Sequence, residues 1–276
     1  MRSSIISKDN KVFLRKKKVI AVLEVILLET IFFISAWYFQ WLYPSSYGWY
    51  SKSIMILLGI IGILIHKRIR DYGLFPKNIK FSIKWSIYTL LLFFVIIITA
   101  ITAAYIAGFL EPKVSARLLL IDATWFFIFV GFAEELFFRG YAQSRLNEVF
   151  TKKYRKIIGV DFEWHQGTLI TGVVFFGLPH ILVGINPLIR IYNIGLAHII
   201  IAAFASFLGI IFGIIREKTG GIIIVTILHG LIDFAVYGIG RIIGLMLSNI
   251  ITIIALFFFF AVFFEKILKE PLSEQQ

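Results

Sequence analysis

The chain has 276 residues, 59% of them hydrophobic and only 16% charged, against about 25% charged in an ordinary soluble domain. It has no cysteine, which excludes a disulfide framework and a thiolate metal site. The net charge of +12 invites a nucleic-acid reading, but its Lys and Arg form no basic module of their own, and no nucleic-acid partner is expected.

In chain order, residues 1–18 are polar and basic and end in Arg15, Lys16, Lys17 and Lys18. The apolar stretch from Val19 to about Tyr43 is too long for the core of a signal peptide and reads as a first membrane span. Further apolar runs cover about 50–65, 85–110 and 118–138. A polar, basic loop is expected over roughly 140–167, followed by runs at about 168–186, 192–215, 221–239 and 242–264. The expectation is all-α: a polytopic membrane helix bundle of about eight transmembrane helices. Its parts are a basic segment 1–18, three N-terminal spans over 19–116, a core of 117–240, and a last helix with its tail over 241–276.

Lys and Arg favour the cytoplasmic loops of membrane proteins. With both termini placed inside, 23 of the 28 Lys and Arg fall on the inner side. Lys52, Lys113, Arg117, Arg190 and Arg241 are left for the outer loops. The asymmetry accounts for the net charge as topology plus attraction to anionic membrane lipid.

Ionisable side chains within the apolar runs each cost at least about 2.5–3.5 kcal/mol on insertion scales. The chain nevertheless keeps Glu24 and Glu29 in the first run, Asp122, Glu134 and Glu135 in the fourth, His180 in the fifth, His198 in the sixth, and His229 and Asp233 in the seventh. At 1.5 Å per residue, Glu134 falls roughly 7 Å from the inner boundary, His229 roughly 12 Å, and His180 and Asp233 roughly 18 Å. Three helices thus offer titratable groups at comparable depth, as a site requires.

Spacing sorts these groups. Glu135 and Arg139 stand at i and i+4, the separation of a helical ion pair, which leaves Glu134 for chemistry. His229 and Asp233 have the same separation and share a face, so Asp233 can accept from one imidazole nitrogen and fix the tautomer. Pro179 should kink the helix beside His180. His198 has no such partner and reads as structural, and His66 and His165 fall in polar loops and read as solvated. Asp122 lies toward the outer face and needs a polar partner on another helix.

The segment Glu134-Glu135-Leu-Phe-Phe-Arg139 resembles the EExxxR signature of the CPBP family, also called the Abi family, of CAAX proteases and bacteriocin-processing proteins. Phe176-Gly-Leu-Pro-His180 is similar to its FxxxH motif, and His229-Gly-Leu-Ile-Asp233 to its third motif, a His followed four residues later by Asn or Asp. The resemblance covers about 120–240. It implies an intramembrane endopeptidase, with a peptide or lipidated protein as substrate; CAAX prenyl endopeptidases remove a C-terminal tripeptide from a prenylated protein. Glu134 and His180 would activate the water, His229 and the residue at Asp233 would stabilise the oxyanion, and Glu135 and Arg139 would support them. The prenyl endopeptidases tend to carry Asn where this chain has Asp233, and an ionised Asp cannot donate to an oxyanion. That departure leaves a prenylated substrate and a peptide-processing or bacteriocin-immunity role both open.

Two rival chemistries stand beside this reading. Glu134, His180 and His229 are also a zinc-ligand set, although the HExxH metalloprotease spacing is absent, and a metal-independent site is favoured. A non-catalytic transporter or scaffold would use the same buried groups as a proton or ion site, but no inverted repeat is visible.

Overall fold

The computed structural model describes residues 8–44, 47–110 and 114–272. The ends of the basic N-terminal segment and of the C-terminal tail, and the outer-loop Lys113, lie outside these residues.

Among the described residues, eight long helices make the fold. They are α1 (Lys8–Leu42), α2 (Trp49–Ile65), α3 (Ile79–Ile106), α4 (Ala116–Asn147), α5 (Gln166–Gly184), α6 (Leu196–Thr219), α7 (Ile223–Ile243) and α8 (Leu245–Lys269). All but α2 are long and apolar enough to cross a bilayer. Helix α2 has 17 residues, at the lower limit of about 17–25 for a span. The all-α polytopic bundle read from the sequence is therefore the architecture.

Two boundaries differ from the expectation. Helix α1 starts inside the basic segment, because Arg15 to Lys18 are good helix formers and extend the apolar span without a break. Helix α4 does not end near residue 138 but runs to Asn147. The polar side chains of its last turns find partners: Gln143 donates to Thr168 Oγ1 (2.8 Å) and to the Gly213 carbonyl (2.9 Å), and Arg145 Nε donates to Glu24 (2.6 Å). The segment expected as loop thus holds two turns of helix and an antiparallel hairpin of β1 (Lys153–Ile157) and β2 (Val160–His165). Ile158 and Gly159, at φ 45° and 79°, form its two-residue turn, the left-handed pair that matches the twist of a hairpin. A second small hairpin pairs β3 (Ile185–Asn186) with β4 (Ile191–Tyr192). Asn186 ties it to α1 through the Trp37 carbonyl (3.1 Å) and Gln40 (2.8 Å).

Helix ends follow local chemistry. Asn78 caps α3 by accepting from Phe81 N–H at 2.9 Å, and Ser115 caps α4 by accepting from Leu118 N–H at 3.2 Å. Gly220 ends α6 in the left-handed conformation at φ 71°. The start of α1 and the end of α8 both lie near the β1–β2 hairpin. Lys18 Nζ stands 5.1 Å from the Phe150 ring centre, and α8 packs on β2.

The interior is built around α4, α6 and α7. Ala133, Leu136, Phe137, Ile211, Ile214, Val225 and Leu228 are fully buried, whereas Leu120, Ile106, Leu196 and Met246 face outward, as a lipid-facing surface requires. Small residues bring the motif helices together. A Cβ on Gly172 of α5 would stand 2.6 Å from the backbone nitrogen of Ile210 in α6. One on Gly131 of α4 would stand 2.9 Å from the Thr226 carbonyl in α7. These two contacts fix α5 on α6 and α4 on α7, and so set the site's geometry.

Candidate active site

Helix α4 carries Glu134, Glu135 and Arg139 on a stretch with widened, i→i+5 bonded turns; the Ala133 N–H reaches back to the Ile128 carbonyl. Such turns are frequent at functional sites. Glu134 lies thirteen residues before the end of α4 at Asn147, about 20 Å along its axis. Glu134 therefore stands near the middle of α4, because the helix continues well past its motif.

The spacing-derived pair is present. Arg139 Nη1 donates to Glu135 Oε1 at 2.9 Å, with both side chains fully buried. The guanidinium stacks 3.9 Å from the Phe176 ring centre and 5.3 Å from that of Phe212. It therefore has aromatic faces as well as a carboxylate to offset its desolvation. The same Glu135 oxygen lies 2.8 Å from His229 Nδ1. Because an ionised carboxylate only accepts, Nδ1 carries the proton. Glu135 is thus the common acceptor of Arg139 and His229, a link across α4 and α7 that spacing alone does not reveal.

His229 Nε2 then faces the two remaining carboxylates. It is 3.8 Å from Glu134 Oε2 and 3.5 Å from Asp233 Oδ2. Asp233 shares the face of His229, as its i+4 spacing requires, but its contact is with Nε2, at a distance beyond a good hydrogen bond. The nitrogen whose proton is fixed by a carboxylate is Nδ1, and Glu135 fixes it.

His180 follows Pro179 on α5, where the helix tightens to a 3₁₀ run over Leu178–Gly184; this is the form the expected proline distortion takes. Its Nδ1 donates to the Phe176 carbonyl at 2.7 Å, so Nε2 of the neutral ring is free to accept. The Phe176 ring stands edge-on to both imidazoles, at 5.1 Å from His180 and 5.9 Å from His229. His180 lies within electrostatic reach of Glu134, His229 and Lys52.

Lys52 is the residue the sequence reading placed wrongly. It is not in an outer loop but in the first turn of α2, with its ammonium on Glu134 Oε1. A lone cation in an otherwise apolar segment was the available signal.

The other buried groups of the sequence reading stay apart from the site. Asp122 is fully buried, at the opposite end of the bundle from the β1–β2 hairpin. It accepts from Tyr47 (2.7 Å) and Arg241 Nε (2.6 Å). Glu24 pairs with Arg145. Glu29 is buried, and among the described residues its Oε1 has no hydrogen-bond partner. His198 Nδ1 accepts from the Gly195 N–H at 3.1 Å and caps α6, a structural role. His66 and His165 are not simply solvated: His66 stacks on Tyr72 and lies 3.4 Å from Glu24, and His165 pairs with Glu217 at 2.8 Å.

Among the described residues, no group of three His, Asp or Glu side chains is gathered closely enough to hold a metal ion. In the set Glu134, His180 and His229, one glutamate oxygen takes the Lys52 ammonium and both Nδ1 atoms bond protein acceptors, bonds that leave Glu134 Oε2 and the two Nε2 atoms uncommitted.

Fold and site together define a polytopic helical membrane protein with a carboxylate–imidazole centre buried among α4, α5 and α7. Residues 116–235 match the family described as Rce1-like, type II CAAX prenyl endopeptidase Rce1-like. The match covers the segment that carries the three motifs and supports their resemblance to the CAAX protease family. The match contains Glu134, Glu135, Arg139, His180, His229 and Asp233, and leaves α1 to α3, with Lys52, outside it. No curated protein and no solved structure matches the chain.

Proposed function

We propose that the protein is an intramembrane endopeptidase, hydrolysing a peptide bond at the depth of Glu134 by metal-independent catalysis. The observation that carries this reading is the pairing of Glu134 Oε2 with His229 Nε2 across 3.8 Å. An acceptor and a potential donor face each other there without bonding, and the donor's other nitrogen is locked.

Peptide hydrolysis needs a base for the water and a donor for the oxyanion. In this reading a water sits against Glu134 Oε2 and the free Nε2 of His180. Glu134 takes one proton as the water oxygen attacks the scissile carbonyl. His229, protonated at both nitrogens and held by Glu135, donates from Nε2 to the oxyanion. Glu134 then returns its proton to the leaving amine, which departs as the carbonyl re-forms. Asp233, 3.5 Å from His229 Nε2, supports the charge of the imidazolium and leaves its Nε2–H to the oxyanion. Arg139 neutralises Glu135 and holds it in place. A prenylated CAAX-type protein suits the site, since a lipid anchor brings a peptide to mid-bilayer depth. The Lys- and Arg-rich end of the bundle faces the cytoplasm, with both termini on that side.

The test is cleavage of a fluorogenic prenylated peptide by purified protein in detergent. Glu134→Gln should lose about 10²–10⁴-fold in rate while keeping its melting temperature, and a chelator should leave the wild type unaffected. Full activity in Glu134→Gln would overturn the assignment. Inactivation by chelator, reversed by zinc, would replace it with a metal mechanism. Proton-coupled transport without cleavage would favour a transporter.

A further inference from the structure

We propose that Lys52 is a positioning residue of this site, supplied by a helix outside the matched segment, which holds one oxygen of Glu134 so that the other faces the reacting water. The inference rests on the endopeptidase reading and adds a member to its machinery.

Lys52 is the only charged residue in α2. Its side chain is 15% exposed, and among the described residues Glu134 is its only ion-pair partner. An ammonium so far from water is costly unless paired, so the position of its partner must be specified by packing. Two glycines of α2 do that. A Cβ on Gly62 would stand 2.5 Å from the Tyr141 ring, and one on Gly59 3.2 Å from Leu136, both on α4. Their absence of side chains lets α2 lie against α4 in one register, and that register carries Lys52 to Glu134. The Phe32 ring of α1, 5.5 Å from Nζ, backs the ammonium from the other side.

The consequence for Glu134 is geometric. A carboxylate bound at neither oxygen turns freely about its last torsion and presents either one. With Oε1 held by Lys52, Oε2 is the oxygen opposite His229 Nε2. No other cation of the site can do this. Arg139 is clamped between Glu135, Phe176 and Phe212, and His229 is tied to Glu135. The N-terminal helices therefore contribute to the chemistry as well as to the membrane anchor.

The experiment compares wild type, Lys52→Met, Lys52→Arg and Lys52→Ala in the fluorogenic prenylated-peptide assay, with a melting curve for each. Lys52→Met should lose on the order of 10²-fold in kcat, the cost of misplacing a reacting group by about 1 Å, with KM changed little. Lys52→Arg should recover much of the loss. Millimolar n-propylammonium should restore activity to Lys52→Ala and do nothing for Glu134→Gln. Should Lys52→Met fail to fold, Lys52→Gln, which keeps a donor and loses the charge, takes its place. A folded, neutral variant at wild-type kcat would overturn the inference alone. So would a folded Arg variant no better than Met combined with no response to the ammonium. Wild type that cleaves no peptide would overturn the endopeptidase reading and this inference with it.

Discussion

Nδ1 of His229 lies 2.8 Å from Oε1 of Glu135, joining α7 to α4 at the centre of the bundle. The same oxygen receives Arg139 at 2.9 Å, so one carboxylate holds an imidazole and a guanidinium in place and counterbalances their charge. The second glutamate of the motif therefore orients both His229 and Arg139, and the first stands 3.8 Å from the other imidazole nitrogen.

Because Glu135 has two dependants, its removal should cost more than a helical ion pair. Glu135→Ala leaves the fully buried Arg139 without its carboxylate and should destabilise the protein by about 3–5 kcal/mol. Arg139→Met should be comparably severe. The double variant Glu135→Ala/Arg139→Met should fall short of the sum by about 0.5–3 kcal/mol, since neither charge is then stranded. Unfolding in detergent, read as a double-mutant cycle, measures this; strict additivity would show that the two side chains do not act together.

The position of His180 depends on how closely α5 approaches α6. A Cβ at Gly177 would meet the Ser206 backbone Cα at 2.5 Å. Gly177→Ala should therefore cost about 1–3 kcal/mol through overpacking and reduce peptide cleavage at the same time, because His180 lies one turn further along. Ser206→Gly added to Gly177→Ala should not restore either property, as the clash with backbone remains. Recovery in the double variant would place the tightness in the serine side chain instead.

Asp122 offers the converse case. It lies twelve residues before Glu134 on α4, roughly 18 Å along the helix, and ties Tyr47 and Arg241 together. Asp122→Ala should destabilise by about 1–3 kcal/mol, through the polar groups it leaves unpaired, with kcat per folded molecule unchanged. The Tyr47 phenol is pushed above its ordinary value by burial and by the neighbouring Asp122. Its contribution is fully present below the unfolded phenol value of about 10 and is lost as pH climbs through the raised folded one. A wild-type melting temperature that falls in that alkaline range, and an Asp122→Ala one that falls less, would confirm the clamp. A large drop in kcat for Asp122→Ala would link this end of the bundle to the site.

Much of the architecture follows from the linear order of residues. Apolar runs long enough to span a bilayer must become helices, because lipid leaves backbone polar groups no other partner. Ionisable residues within those runs must face inward, because lipid will not solvate them. Those two constraints, with i,i+4 spacing, single out Glu135 with Arg139 and His229 with Asp233, and the motifs add Glu134 and His180. What the runs could not reveal is where polar ends of helices stop. Gln143 and Arg145 are compatible with a loop until α1, α5 and α6 supply their partners, so the length of α4, and hence the place of Glu134 along it, is a property of the packed bundle. The same holds for Lys52, a loop cation by charge-counting rules, which becomes part of the site only through the approach of Gly59 and Gly62 to α4. It holds also for Glu135, whose bond to His229 spans ninety-four positions. Sequence by itself determined which side chains had to be sheltered from lipid, because that cost is local to each residue. Tertiary structure decided which of them meet, because pairing depends on helix register, and close glycine contacts between distant segments set that register.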